Sequence, residues 1–279
     1  MGNACQSWYD TGKKRPGQIL DCNDDFKFAR GYWRVYDKVL DHLGSDCEIC
    51  ELGIGNGGSH SRWYFATTGR VIGLELDSKN PDTQMVSQFV PDHDNGANPN
   101  AQRNYSNVRA LLDNEKIDES RFDFRYESDA FDPANAEKVF KDYPNLGIVI
   151  NDSKHRPWAF DLFKKAWEPY MNDDTILIQE DFARHPGNPN EWSCPNHVKL
   201  GLDTGWTIYD FRKVTTFKTQ ELTDEYENAS LLGVYYKNPK WKEVLSGLDE
   251  FVISPDMPAA IKNQKLQSFQ GYLKNLYEE

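Results

Sequence analysis

Apolar residues recur along this chain in two alternating patterns. Short, nearly continuous apolar runs read as buried strands, and stretches with three- and four-residue spacing read as amphipathic helices. Phe26–Leu43 has the helical spacing, with Tyr32, Val35, Tyr36, Val39 and Leu40 on one face. A strand is predicted over Glu48–Leu52, followed by a glycine-rich turn and a helix from Ser59 to Thr67. Further strands are predicted at Arg70–Leu76, Phe122–Tyr126, Leu146–Ile150 and Thr175–Ile178, with helices at Ala134–Asp142 and Trp158–Tyr170. Trp206–Phe211 and Leu231–Tyr236 are late strands with no helical pattern between them, and Ile261–Tyr277 closes the chain as an amphipathic helix.

Strands alternating with helices predict an α/β fold: a Rossmann-like, doubly wound sheet, mostly parallel, with helices on both faces. Seven strands are expected, and the last pair, joined without a helix, places one antiparallel strand at the edge. The 279 residues suit one large domain with insertions. Residues 1–25 are polar and read as an N-terminal arm. Residues 26–240 form the domain, with insertion loops near 91–104 and 185–197, and 241–279 form a C-terminal helical extension. Long polar loops of this kind are the candidates for substrate-facing lids.

Composition narrows the classes. The 8 Trp, 14 Tyr and 15 Phe, with 38% hydrophobic residues, belong to a folded chain rather than a disordered one. A net charge of −12 argues against a nucleic-acid surface, which needs a basic face. No apolar run approaches a membrane span, and Met1–Gly17 has no signal-peptide core. Met1-Gly2-Asn3-Ala4-Cys5 resembles a myristoylation start, but Gln6 stands where that pattern wants Ser or Thr. Five scattered cysteines fit a reducing compartment, so a cytoplasmic location is expected. Cys47-x-x-Cys50 has no second pair and lies in a predicted strand, so both read as core cysteines. A homo-oligomer stays open.

The polar residues that interrupt this pattern gather at strand ends. Glu51-Leu52-Gly53-Ile54-Gly55-Asn56-Gly57-Gly58-Ser59 follows the first strand, Glu75 ends the second, and Asp129-Ala130 follows the third. Asn151-Asp152-Ser153-Lys154-His155 ends the fourth and Glu180-Asp181 the fifth. In doubly wound sheets ligands bind beyond these carboxyl ends, at the switch point. A glycine-rich turn there admits a ligand close to the main chain. Gly53-x-Gly55-x-x-Gly58 also matches the dinucleotide pattern. A nicotinamide cofactor would need its pyrophosphate on the helix N-terminus. S-adenosylmethionine carries no phosphate and has an ammonium and a sulfonium, so an acid such as Glu51 suits it. Glu75 suits ribose hydroxyls in either case, and Asp129 suits the exocyclic amine of adenine.

Taken in order, Glu51-Leu-Gly-Ile-Gly-Asn-Gly-Gly, Gly73-Leu-Glu75, Ser128-Asp129-Ala130 and the two later strand ends resemble class I S-adenosylmethionine-dependent methyltransferases over residues 26–237. The resemblance implies that Glu51, Gly53, Gly55, Asn56, Gly57, Gly58, Ser59, Glu75, Asp129 and Ala130 hold the cofactor.

Asp152, Glu180 and Asp181 should meet near the methyl group, because adjacent strands lie ~5 Å apart. Clustered carboxylates repel unless a cation neutralises them. All-oxygen donors favour a hard divalent ion such as Mg2+, which makes a bound hydroxyl more acidic, and a neutral His155 could take its proton. This set resembles the metal-dependent sugar O-methyltransferases of the macrolide-tailoring and rhamnosyl type, relatives of the cephalosporin hydroxylase-like proteins. The resemblance implies metal ligands at Asp152, Glu180 and Asp181, a catalytic Asp152–His155 pair and a sugar or glycan acceptor. It also matches the helix bearing Tyr32 and Tyr36. Ser153-Lys154 departs from the Gly-Ser of the family's motif, putting a cation beside the proposed metal. Three other readings stand beside it: a phenolic or other small-molecule acceptor, a nicotinamide-dependent oxidoreductase, and a non-catalytic cofactor-binding module.

Overall fold

The computed structural model of the chain describes residues 31–54, 58–76, 118–153, 159–182, 194–214 and 230–267. Its frame is α1 (Trp33–Leu43), β1 (Glu48–Leu52), α2 (Gly58–Ala66), β2 (Val71–Leu74), β3 (Phe122–Arg125), α3 (Pro133–Asp142), β4 (Leu146–Asn151), α4 (Ala159–Trp167) and β5 (Ile176–Gln179). Then follow α5 (Cys194–Asp203), β6 (Thr207–Asp210), β7 (Leu231–Tyr235), α6 (Lys240–Val244) and β8 (Val252–Ile253). Residues 259–267 are helical.

The strands form one sheet in the order β3-β2-β1-β4-β5-β7-β6-β8. Pairings among β3, β2, β1, β4 and β5 are parallel, and β7 runs antiparallel to both β5 and β6. The expected mostly parallel α/β sheet is therefore present, with seven strands where the apolar runs put them, each within a residue or two. The count is eight, not seven: β8 pairs antiparallel with β6 and forms the edge. Two residues are too few to leave a period in the sequence. β7 is antiparallel as expected of the last strand of the pair, but lies inside the sheet between β5 and β6. Helix α5 is a second difference. It begins at Cys194, within the loop expected near 185–197, and packs Val198 and Leu202 into the core.

Strand parity divides the core. Cys50, Leu52, Ile72, Val149 and Leu177 face one layer with Phe160, Phe163, Trp167 and Trp206. Ile49, Val71, Ile148, Ile150, Ile176 and Ile178 face the other, with Tyr36, Val39, Trp63 and Trp241. Strands buried on both faces read as continuous apolar runs, which is why the pattern was legible. Cys47 and Cys50 fall on opposite layers, both buried and free. Burial pushes the Cys47 thiol up to about 12, so it stays protonated at neutral pH.

From β1 the chain steps outward to β2 and β3, then returns to place β4 on the other side of β1. The switch point is therefore between the carboxyl ends of β1 and β4. The end of the sheet is closed there by two backbone bonds: Gly53 N–H to Leu74 O at 2.8 Å and Asp152 N–H to Leu52 O at 3.0 Å.

Candidate functional site

Gly53 turns the chain out of β1 with φ +89°, and a Cβ added there would stand 2.8 Å from the Ser153 Cα. Both the backbone conformation and the close approach of the β4 end require glycine. Gly55, Asn56 and Gly57 lie outside the described residues; Gly58 opens α2.

Parity sends Glu51 to the same layer as Ile49, beneath the first turn of α2. It is fully buried. Ser59 Oγ donates to its Oε1 at 2.8 Å, and Trp63 Nε1 donates to its Oε2. His60 Nδ1 stands 3.9 Å from Oε2. A carboxylate is favoured at this end of a helix, where the dipole is positive. The Ser59 and Trp63 donors are both side chains of α2.

Glu75 ends β2 half-buried. Its Oε2 accepts the Ile54 N–H at 3.2 Å and its Oε1 the Leu76 N–H at 3.0 Å, which fixes the carboxylate beside the glycine turn. Asp129 is exposed. Its Oδ1 accepts the Phe131 N–H at 2.9 Å, forming a turn into α3. Ala130 is buried, and its carbonyl accepts the Trp167 Nε1–H at 2.8 Å. A cleft of about 390 Å³ between β3 and α3, lined by Arg125, Ser128, Asn135, Lys138 and their neighbours, lies at the sheet margin away from the switch point.

Across the switch point, β4 and β5 end in an amide pair. Asn151 Nδ2 donates to Gln179 Oε1 at 2.7 Å, and Gln179 Nε2 donates to the Glu180 carbonyl at 2.9 Å. The Asn151 Oδ1 accepts from Ser153 Oγ at 2.8 Å, shaping the turn that carries the half-buried Asp152. Lys154 and His155 lie outside the described residues. Glu180 and Asp181 are both 2% exposed. Tyr36 Oη–H donates to Glu180 Oε1, and Tyr32 Oη–H to Asp181 Oδ1 at 2.9 Å.

Tyr36 feels the charge of this end of the sheet. Burial first, then the charges of Glu180, Glu51 and Asp152, push the Tyr36 phenol well above its ordinary range. It remains a donor at neutral pH, and Glu180 at the end of β5 is the carboxylate it bonds. Glu75 and Asp129 belong to the outer part of the rim. Tyr32, Tyr36, Trp63 and the Asn151–Gln179 pair were not singled out as site residues from sequence. The available signal was two hydroxyls one turn apart on an apolar helical face, in a chain whose buried acids need donors.

A divalent ion is tested by the same geometry. The proposed donors are all oxygen, which suits a hard cation in kind. As placed, no three His, Cys, Asp or Glu side chains among the described residues stand so as to hold one. Also among the described residues, no helix is long and apolar enough to cross a membrane.

No protein-family model and no curated protein matches the sequence. Solved structures that resemble it include the MycE methyltransferase of the mycinamycin biosynthetic pathway, in complex with Mg and SAH. That likeness has 17% identity and a TM-score of 0.46, over 80% of this chain and 55% of that one. The chain thus spans about half the length of MycE. CalS11, a TDP-rhamnose 3'-O-methyltransferase of calicheamicin biosynthesis, is 15% identical over 72% of this chain and 84% of its own, with a TM-score of 0.36. Fibrillarin, from a fibrillarin/Nop5p complex, is 10% identical over 70% and 74%, with a TM-score of 0.40. Likeness at this level fixes neither reaction nor acceptor for this chain.

Proposed function

We propose that the chain is an S-adenosylmethionine-dependent O-methyltransferase whose acceptor is a sugar hydroxyl, in a glycan or a glycosylated metabolite. The observation that carries the reading is the chain of contacts across the switch point: Glu180 bonded to Tyr36, the Tyr36 ring on Trp63, and the Trp63 indole bonded to the buried Glu51. A rim of carboxylates attracts a cationic ligand and repels a pyrophosphate. The buried negative charge of Glu51 under the start of α2 supports a cationic cofactor over an anionic dinucleotide.

The cofactor supplies a methyl group on a cationic sulfonium. The chain's part is to position it and to prepare the acceptor. Gly53 and Gly55 to Ser59 admit the methionine portion, with Glu51 beneath them. Glu75, fixed by two backbone N–H groups, accepts the ribose hydroxyls. Asp129 and Ala130 flank the adenine. Asp152, held at the switch point by its N–H to Leu52 O, orients the acceptor hydroxyl, and His155 takes its proton. The sugar acceptor rests on the Asp152–His155 and Glu180–Asp181 motifs. A divalent cation, Mg2+ first, belongs to the proposal through the same donors. Holding it asks Asp152, Glu180 and Asp181 to close up from their present placement.

The test is transfer of labelled methyl from S-adenosylmethionine to a panel of glycosides and phenols. Wild type should label glycosides. Asp152→Asn and His155→Ala should abolish turnover while calorimetry shows S-adenosylhomocysteine still bound. Full activity of either variant rejects this mechanism. Full activity in excess chelator removes the cation alone, and labelling of phenols only replaces the acceptor.

A further inference from the structure

We propose that Tyr32 and Tyr36, one turn apart at the start of α1, are positioning residues that set the acidic pair ending β5; this rests on the methyltransferase reading above. The two hydroxyls reach residues far along the chain. Tyr36 Oη–H bonds Glu180, and the Tyr36 ring packs on Trp63 with centroids 4.8 Å apart. Trp63 in turn donates its indole N–H to Glu51. One side chain of α1 therefore touches both the acidic pair and the group that anchors the carboxylate beneath the glycine turn.

Tyr32 fixes the neighbouring position by its main chain as well. Its hydroxyl has one proton to give, to Asp181 Oδ1 at 2.9 Å or to the Leu231 carbonyl at 3.1 Å, and it accepts the Asp181 N–H at 3.2 Å. Asp181 has φ +49°, a left-handed conformation uncommon for a side chain other than glycine. Such a conformation persists where its surroundings over-determine it. The hydroxyl contributes to that determination beside the main-chain bond from Phe182 N–H to Leu231 O at 2.9 Å, which already joins the β5 end to the first residue of β7. A glutamate has three rotatable side-chain bonds, and an aspartate at a turn could face either way. The tyrosines select one placement for each, so the seating of α1 on the sheet sets the geometry of the reacting end.

Tyr36→Phe removes the hydroxyl and keeps the ring on Trp63. The expected result is a fall in kcat of ~10-fold or more, the size seen when an outer group orients a reacting one. The KM for S-adenosylmethionine should stay within about twofold, because the cofactor contacts remain. A crystal structure of the variant should show the Glu180 carboxylate turned away from its wild-type position. Tyr32→Phe should give the same split, with Asp181 displaced, and serves also if Tyr36→Phe fails to fold. Unchanged kcat, or Glu180 and Asp181 unmoved in the variant structures, overturns the proposal. Should wild type transfer no methyl group, the functional reading fails, and the crystal structures still decide whether the tyrosines place the acids.

Discussion

The two sides of the switch point hold their acids by different means. On the β1–β2 side, Glu51 is bonded by Ser59 and Trp63, eight and twelve residues away, and Glu75 by the N–H of Ile54, 21 residues away. On the β4–β5 side, Glu180 and Asp181 take hydroxyls from Tyr36 and Tyr32, 144 and 149 residues away. The first side is built by one strand–turn–helix unit and its neighbour. The second exists only once α1 has docked on the finished sheet. The cofactor end should therefore tolerate loss of the α1 hydroxyls so long as the Tyr36 ring stays on Trp63, and the reacting end should not.

The sharpest way to break the local side is Gly53→Ala. A side chain there meets the Ser153 main chain and an unfavourable φ together. The variant should lose ~3 kcal/mol or more in denaturant unfolding and should not bind S-adenosylhomocysteine. Glu51→Leu comes next. It strips an acceptor from the buried Trp63 indole and should cost ~1–3 kcal/mol, with cofactor affinity falling alongside. Stability with unchanged affinity would show that Glu51 serves packing and not the ligand.

On the distant side, Asn151→Leu leaves the Gln179 amide buried beside an apolar group and should cost ~1–3 kcal/mol in the same assay. Its cofactor affinity should change less than that of Glu51→Leu, which is the comparison restated as a measurement.

A third tyrosine–carboxylate pair serves as a control outside both regions. Tyr143 Oη–H donates to Asp123 Oδ2 at 2.7 Å near the sheet margin. Burial, then this bond and the Asp123 charge, push the phenol up to about 12. A folded-state value above the unfolded one near 10 makes a contribution fully present below pH ~10 and lost as pH rises toward ~12. Tyr143→Phe should flatten that alkaline decline in thermal melts while leaving catalysis alone. The smallest effect belongs to Lys165→Ala. It breaks a surface ion pair with Asp161, the lysine being 68% exposed, and should move stability by less than ~0.5 kcal/mol.

The same difference explains what was legible in the sequence. Strands buried on both faces leave apolar runs, and the half-buried β3 leaves the alternation Phe122-Asp123-Phe124-Arg125, so β1 to β7 are placed almost to the residue. Strand ends mark the rim, so Glu51, Glu75, Asp129, Asp152, Glu180 and Asp181 can be named from the sequence as strand-end acids. What a local pattern does not carry is a partner more than a hundred residues away. Tyr32 and Tyr36 read as apolar-face residues because their rings are exactly that; only the closed sheet shows where the hydroxyls go. β8 was missed because two residues make no period, and α5 because its start was read with the Pro- and Asn-rich segment before it. The insertion near 91–104 and His155 lie outside the described residues.

The central claim is that a methyl donor, and not a dinucleotide, occupies the switch point above a buried Glu51. Isothermal titration of the purified chain with S-adenosylhomocysteine and, separately, with NADH tests it most directly. The account predicts saturable, one-to-one binding of S-adenosylhomocysteine that is lost in Gly53→Ala, and no heat from NADH. Saturable NADH binding with none for S-adenosylhomocysteine would contradict it.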